Sequence, residues 1–350
     1  MRRPRRQQAP PLRRRPPPRV RRPRPRTRRR QAPPRLRPPR APAPRGAARP
    51  SPRPRQPLSR PSSKARLAVQ PGGAAAGTPA PDLPAAVSVD ALVAAAEAAA
   101  DVAAAVVRPF FRQPLTADVK GDRSPVTIAD RTAEQAMRAV LSERFPDHGI
   151  IGEEFGTDRA QARFRWVLDP IDGTRAFITG RPSFGTLIGL LDGDRPILGL
   201  IDQPVTRERW IGAPGRATVF RSAFGGRAGC RPCATLDAAE LSCTSPEMLE
   251  GHETAWRALK AAVRRNYWGS DCYAHGLVAI GQIDIVAECD MKLWDWAALV
   301  PVIEGAGGSV TDWHGQPLRV GSDGSVRSVG DLALVAPAVA LLNQPSVASG

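Results

Sequence analysis

The sequence predicts a layered α/β protein, of the α+β kind, behind a long basic arm. Two observations carry the fold. Between Ser183 and Phe220 short apolar runs alternate with hairpin turns, which predicts an antiparallel sheet. Beyond about Leu236 strand-like and helical patterns alternate, which predicts a second, α/β layer. A third observation separates arm from body. Residues 1–81 hold 25 of the 51 Lys and Arg, 22 of the 38 prolines and no Asp or Glu. The other 26 basic residues face 33 acidic ones, so the body is mildly acidic inside a chain of net charge +18.

Residues 1–85 carry too little apolar surface to offset the entropy of ordering them, and are expected to be disordered. Runs such as Arg19 to Arg30 would attract nucleic acid or anionic lipid by charge alone, but no aromatic residue is interleaved to stack on bases. Three readings stand: a functional basic tail, an organellar targeting segment, or translated upstream sequence from a misplaced start codon. The Arg/Pro bias of GC-rich codons favours the third. The arm lacks the apolar core of a secretory signal, and no run of 18 apolar residues exists to span a membrane. Five cysteines, an odd number, lie between 230 and 289, which points to reduced thiols and a cytoplasmic setting. The lone Cys230-Arg-Pro-Cys233 lacks the second well-spaced pair that a zinc site needs.

The body is expected to divide into residues 86–220, with the antiparallel sheet, and 221–345, with the α/β layer, before a short tail at 346–350. Val87-Ser-Val-Asp90 caps a long Ala/Val helix reaching about Phe111. Residues 118–130 are extended and then enter a helix from Arg131 to Arg144, with Asp130 near its start. Gly149-Ile-Ile-Gly152 is a short strand ending in Glu153-Glu154, of which only one can point into a given site. Phe164 to Leu168 is a strand. Strands follow at 186–191, 196–201, 209–212 and 217–220, with Asp192-Gly193 as a hairpin turn. Further strands are expected at 241–244, 283–287, 309–312 and 332–336. Helices are expected at 253–264, 273–280 and 294–305, the last ending at Gly305-Ala-Gly-Gly308.

The stretch Leu168-Asp169-Pro170-Ile171-Asp172-Gly173-Thr174-Arg175 ends a strand in two carboxylates three residues apart. Pro170 and Gly173 turn the chain sharply, and the Ile171 carbonyl can point the same way. Such an oxygen cluster suits a hard divalent cation, although the same residues make an ordinary β-turn. Asp130 and Asp295 each also suit a helix start, where a carboxylate caps free N–H groups.

Taken in order, Val126-Thr-x-x-Asp130, Gly152-Glu-Glu154, Asp169-Pro-Ile-Asp-Gly-Thr174 and Trp294-Asp-x-Ala-Ala298 resemble the motifs of the inositol monophosphatase-like family of Mg²⁺-dependent phosphatases. The resemblance covers about residues 86–345 and implies an α-β-α-β-α sandwich and a homodimer. It implies that Glu153, Asp169, the Ile171 carbonyl, Asp172 and Asp295 bind two or three Mg²⁺. It implies that Asp130 with Thr174, beside Glu153, orients and deprotonates the attacking water. Lys120 lies near the family's lysine. The backbone of Gly173 and Thr174, with Arg175, Asp271, Glu288 and Asp295, would meet the substrate, a small phosphate monoester. Arg175, the Thr179–Thr186 stretch and Trp268-Gly-Ser-Asp271-Cys-Tyr resemble the histidinol-phosphate phosphatase subgroup of histidine biosynthesis. There Asp271 or Glu288 would pair with the substrate amine. Rival readings are a same-fold phosphatase for inositol phosphate, a sugar bisphosphate or a nucleotide. More remote is a nucleic-acid-binding protein that works through the arm.

Overall fold

The computed structural model describes Leu83, residues 87–114, the backbone of residues 118–119 and 125–126, and residues 127–344. Apart from Leu83, the expectations for the arm, for Lys120 and for the tail lie outside the described residues. All described residues belong to one compact unit.

In chain order come α1 (Val89–Val107), β1 (Asp118–Val119), β2 (Pro125–Val126), α2 (Ile128–Arg144), β3 (Gly149–Gly152), β4 (Gly156–Asp158) and β5 (Phe164–Asp172). Then follow α3 (Thr174–Ile178), β6 (Gly185–Asp192), β7 (Arg195–Gln203), β8 (Glu208–Gly212) and β9 (Val219–Arg221). The second half holds β10 (Glu240–Cys243), α4 (Glu253–Ala262), β11 (Arg265–Trp268), α5 (Asp271–Ala279) and β12 (Ile285–Glu288). It closes with α6 (Leu293–Trp296), α7 (Leu299–Glu304), β13 (Ser309–Thr311), β14 (Val326–Val329) and α8 (Val335–Leu342).

Two large sheets result, ordered β4-β3-β5-β6-β7-β8-β9 and β11-β10-β12-β14-β13. Their central strands are buried on both faces, so each sheet must be covered twice. In β5, Trp166 and Leu168 enter a core shared with α1 and α2, while Val167 enters the core on the other side. The Ala/Val pattern of α1 buries Leu92, Ala96, Ala99, Ala103 and Val107 at helical spacing, and Ser88 caps it by accepting from the Ala91 N–H at 3.1 Å. Helices α5, α6 and α7 fill the middle layer between the sheets. Helices α4 and α8 cover the far face of the second sheet, with Trp256 and Leu342 against Leu241 and Ile285. The order is therefore α-β-α-β-α, as the family resemblance implied.

The middle layer lies unusually close to the first sheet. Gly189, Gly199 and Gly212 stand in register across β6, β7 and β8. A Cβ on Gly199 would fall 1.9 Å from the Ala298 carbonyl oxygen, and one on Gly212 2.2 Å from that of Pro301. The three glycines form a furrow in which the α6–α7 backbone rests.

Several expected elements differ. The helix expected at 294–305 is two short helices, because Pro301 has no N–H to offer the Ala297 carbonyl and the first helix stops there. The strand expected at 332–336 is instead a 3₁₀ turn, Leu332–Leu334, running into α8. The strand of that region is β14, in which buried Arg327 interrupts the apolar pattern and donates to the Val335 carbonyl and the Thr311 hydroxyl. Strand β11, an edge strand, and the five-residue α3 were not expected.

Candidate active site

The tip of β5 is built by a register shift against β6 between Asp169 and Asp172. Pro170 sits in the shift, where its missing N–H costs no ladder bond, and its carbonyl accepts from the buried Thr186 hydroxyl at 2.8 Å. The Ile171 N–H turns back to Asp169 Oδ1 at 2.9 Å. Gly173 then takes a left-handed φ of 82° and opens α3. The Thr174 hydroxyl donates to the Ile171 carbonyl at 3.2 Å. Asp172 Oδ2 accepts from the Cys272 N–H, in the first turn of α5, at 2.7 Å. Asp295 belongs to the first turn of α6, where Oδ2 accepts from the Lys292 N–H at 2.7 Å.

These elements bring one carboxylate oxygen each of Asp169, Asp172 and Asp295 within 4.8 Å of one another. Glu153, just past β3, hydrogen-bonds Asp169 and adds its charge to Asp169 and Asp295. Burial first, and then neighbouring charge from Glu153, Asp172 and Asp295, raises the Asp169 carboxyl well above the usual range. Burial, then Asp295 and Asp271, does the same to Asp172. Asp295 is pushed up to about 7, mainly by burial, against the pull of the Lys292 amide. Acids driven together in this way want a cation, and a carboxylate-only donor set fits a hard divalent ion. Among the described residues this is the one His/Cys/Asp/Glu group with metal-holding geometry. Cys230 and Cys233 are free thiols outside it, and burial pushes Cys230 up to about 11.

Neither Asp130 nor Glu154 belongs to the three-carboxylate group. Asp130 is the third residue of α2 and forms a capping box with Thr127, whose N–H and hydroxyl donate to Oδ2 at 2.8 and 2.5 Å. Its Oδ1 is buried with no partner among the described residues, and burial raises its carboxyl. The Glu154 carboxyl is nearly buried, 4.0 Å from Arg131. The turn carrying both glutamates is gripped by α2. Buried Glu134 accepts from the Glu154 N–H at 2.7 Å, the Phe155 N–H at 3.2 Å and Arg138 Nε at 2.7 Å. Gly152 leaves the room for this, since a Cβ there would lie 2.1 Å from Glu134 Oε1.

A cleft of about 290 Å³ opens beside the acids. Asp172, Gly173, Thr174, Arg175, Asp271, Glu288 and Asp295 are among its lining residues, with Thr244, Met248 and Met291. Asp271 holds a left-handed φ of 47° and accepts from the Ser183 hydroxyl at 2.8 Å. Burial and the charge of Glu288 raise its carboxyl, while Arg181 and Arg175 pull it down. Glu288 is buried and accepts from the Thr244 N–H at 2.6 Å. The sequence reading missed Ser183, the Cys272 amide, Thr244 and His275. Only His275 had a readable signal, its place one helical turn after Asp271.

The fold is a two-sheet sandwich that carries, at the tip of β5, an acid cluster whose donor set fits a divalent cation. The chain belongs to the inositol monophosphatase family, whose profile matches residues 88–340. Among its relatives is the bifunctional phosphatase IMPL2, chloroplastic, of Arabidopsis thaliana, 47% identical over 231 residues, which are 65% of this chain and 66% of that protein. The chain thus spans just under two thirds of that relative's length. A histidinol-phosphatase of Chlorobaculum parvum is 35% identical over 62% of this chain and 83% of that one. The structure of an inositol monophosphatase from Zymomonas mobilis superposes with a TM-score of 0.67 at 46% identity, over 74% of this chain and all of that one. Among the described residues no helix is long and apolar enough to cross a membrane.

Proposed function

We propose that the chain hydrolyses L-histidinol phosphate to L-histidinol and phosphate, using two or three Mg²⁺ held by Glu153, Asp169, Asp172, Asp295 and the Ile171 carbonyl. The observation that carries the substrate is the surplus of acid in the cleft. Beyond the clustered carboxylates, Asp271 and Glu288 lie in the same cleft, where they suit the ammonium of an amino alcohol. The histidinol-phosphatases among the relatives, that of Chlorobaculum parvum and one of Mycobacterium tuberculosis at 37% identity, support this choice.

Bound Mg²⁺ would neutralise the phosphate dianion, lower the pKa of a coordinated water and stabilise the leaving alkoxide. The chain's own groups do the rest. The hydroxyl of Thr174 and the unpartnered Oδ1 of Asp130 orient the attacking water, and Asp130 takes its proton. The backbone of Gly173 and Thr174, at the start of α3, meets the phosphate. Arg175 stands at the rim of the cleft, and Asp271 with Glu288 orients the alcohol end. The five free thiols fit a reducing, cytoplasmic compartment, and a homodimer completes the reading.

The test is phosphate release by the purified chain from histidinol phosphate, inositol 1-phosphate and a nucleotide monoester, with and without chelator. The expected result is the highest kcat/KM on histidinol phosphate and no release with chelator. Asp172→Asn, which removes one ligand charge, should lower kcat by at least about a thousandfold while the fold persists. A second reading, an inositol-phosphate phosphatase, is favoured by the 46% identity to the Zymomonas mobilis enzyme, and a preference for inositol 1-phosphate would establish it.

A further inference from the structure

One buried group is left over by this chemistry. His275 is fully buried in α5, four residues after Asp271, and touches no part of the acid cluster's ligand set in the proposed reading. Its Nε2 lies 3.1 Å from Glu288 Oε2, and its Nδ1 lies 2.9 Å from the Ser328 hydroxyl. The strand register explains the line-up. Ser328 of β14 pairs with Val286 of β12, so Ser328, Val286 and Glu288 share the face on which α5 lies.

The chemistry of the three groups sets the direction of the protons. A carboxylate oxygen only accepts, so Nε2 carries hydrogen. In the neutral ring Nδ1 then accepts, and the Ser328 hydroxyl donates to it. In the charged ring Nδ1 donates to the Ser328 oxygen instead, and in both forms Nε2 donates to Glu288. Glu288 thereby has one donor on each oxygen, Thr244 on Oε1 and His275 on Oε2, and its remaining lone pairs are left for the cleft. Asp271 is held in a parallel way by the Ser183 hydroxyl. Both acids are thus fixed by hydrogen-bond donors, and the charge of Glu288 raises the Asp271 carboxyl.

We propose that His275 is a positioning residue that aims Glu288 into the cleft and so sets the enzyme's preference for a phosphate ester carrying a cationic amine. The inference rests on the substrate reading above. Without the imidazole, Glu288 Oε2 would lose its one side-chain donor among the described residues, and the carboxylate would turn toward any group able to replace it. The loss should fall on recognition of the amine, because His275 meets neither the phosphate nor the water.

The experiment compares L-histidinol phosphate with its deaminated analogue, in which hydrogen replaces the amine, on the full chain with Mg²⁺. Wild type should favour the amine ester. His275→Phe, which fills the space without a donor, should cut the ratio of kcat/KM between the two esters by about tenfold or more, chiefly through KM of the amine ester. His275→Gln, which keeps an N–H near the place of Nε2, should recover most of that ratio. Ser328→Ala, a smaller change, should lower it in the same sense and serves if His275→Phe does not fold. Long-range ¹⁵N–¹H spectra of wild type should show His275 protonated at Nε2, and a ring bare at Nε2 would overturn the inference. A folded His275→Phe or Ser328→Ala that keeps the wild-type ratio, or that loses both esters equally, would overturn the inference alone. A wild type that does not distinguish the two esters would overturn the substrate reading and the inference together.

Discussion

Gly173 shows how much of the site hangs on single atoms. Its φ of 82° strains any L-residue, and a Cβ there would lie 2.6 Å from Asp271 Cγ. Gly173→Ala should therefore cost about 1–2 kcal/mol in backbone strain, and more as Asp271 is displaced. Denaturant unfolding reads the first effect. The second appears as a rise in KM for the preferred ester, and an unchanged KM would mean that Asp271 does not meet substrate. At this scale the sequence was informative where chemistry is written in side-chain type. Asp169, Asp172, Glu153 and Asp295 were identifiable because four motifs occur together in one order; singly, each suits a turn, a cap or solvated surface. Ser183 and the Cys272 amide were not, because a hydroxyl in a loop and a backbone N–H carry no distinguishing pattern until the fold sets them against Asp271 and Asp172.

Among the elements, α2 acts at a distance from the cleft. Glu134 and Arg138 hold the turn after β3, and through it the direction of Glu153. Glu134→Gln keeps the shape but sets an amide group against backbone N–H donors. It is expected to weaken Mg²⁺ affinity by about tenfold to a hundredfold, as loss of a ligand's support usually does. Titration calorimetry with Mg²⁺ measures this directly, and unchanged affinity would leave Glu134 a purely structural residue. Strands β6 to β8 were legible because Asp192-Gly193 and the flanking apolar runs admit one local solution. The 332–336 run was not, since five apolar residues fit strand or helix equally and Pro337 is tolerated in the first turn of α8. Nor was β14, whose buried Arg327 breaks the apolar pattern and donates to groups of β13 and α8 that only the fold brings to it.

Across the whole molecule, the acid cluster joins the two halves: Asp169 and Asp172 come from the first sheet and Asp295 from the helix after β12. All three have carboxyls raised above their unfolded values near 3.8, Asp295 to about 7 and the others well upward. From about pH 4 upward the unfolded chain releases these protons while the folded, metal-free chain keeps them. The stability of that form therefore falls as pH rises through this window and past 7. Chelator-treated protein should melt at a lower temperature at pH 8 than at pH 5, and saturating Mg²⁺ should remove most of the difference. Equal melting temperatures would mean that the cluster is not under electrostatic strain. The furrow of Gly189, Gly199 and Gly212 has a consequence of another kind. These positions touch no substrate, yet even a methyl at Gly199 or Gly212 would push the α6–α7 backbone, and Asp295 with it, away from β5. A mutational scan scored by turnover should mark them as intolerant as the catalytic carboxylates, and a survey of natural variants should find them nearly silent.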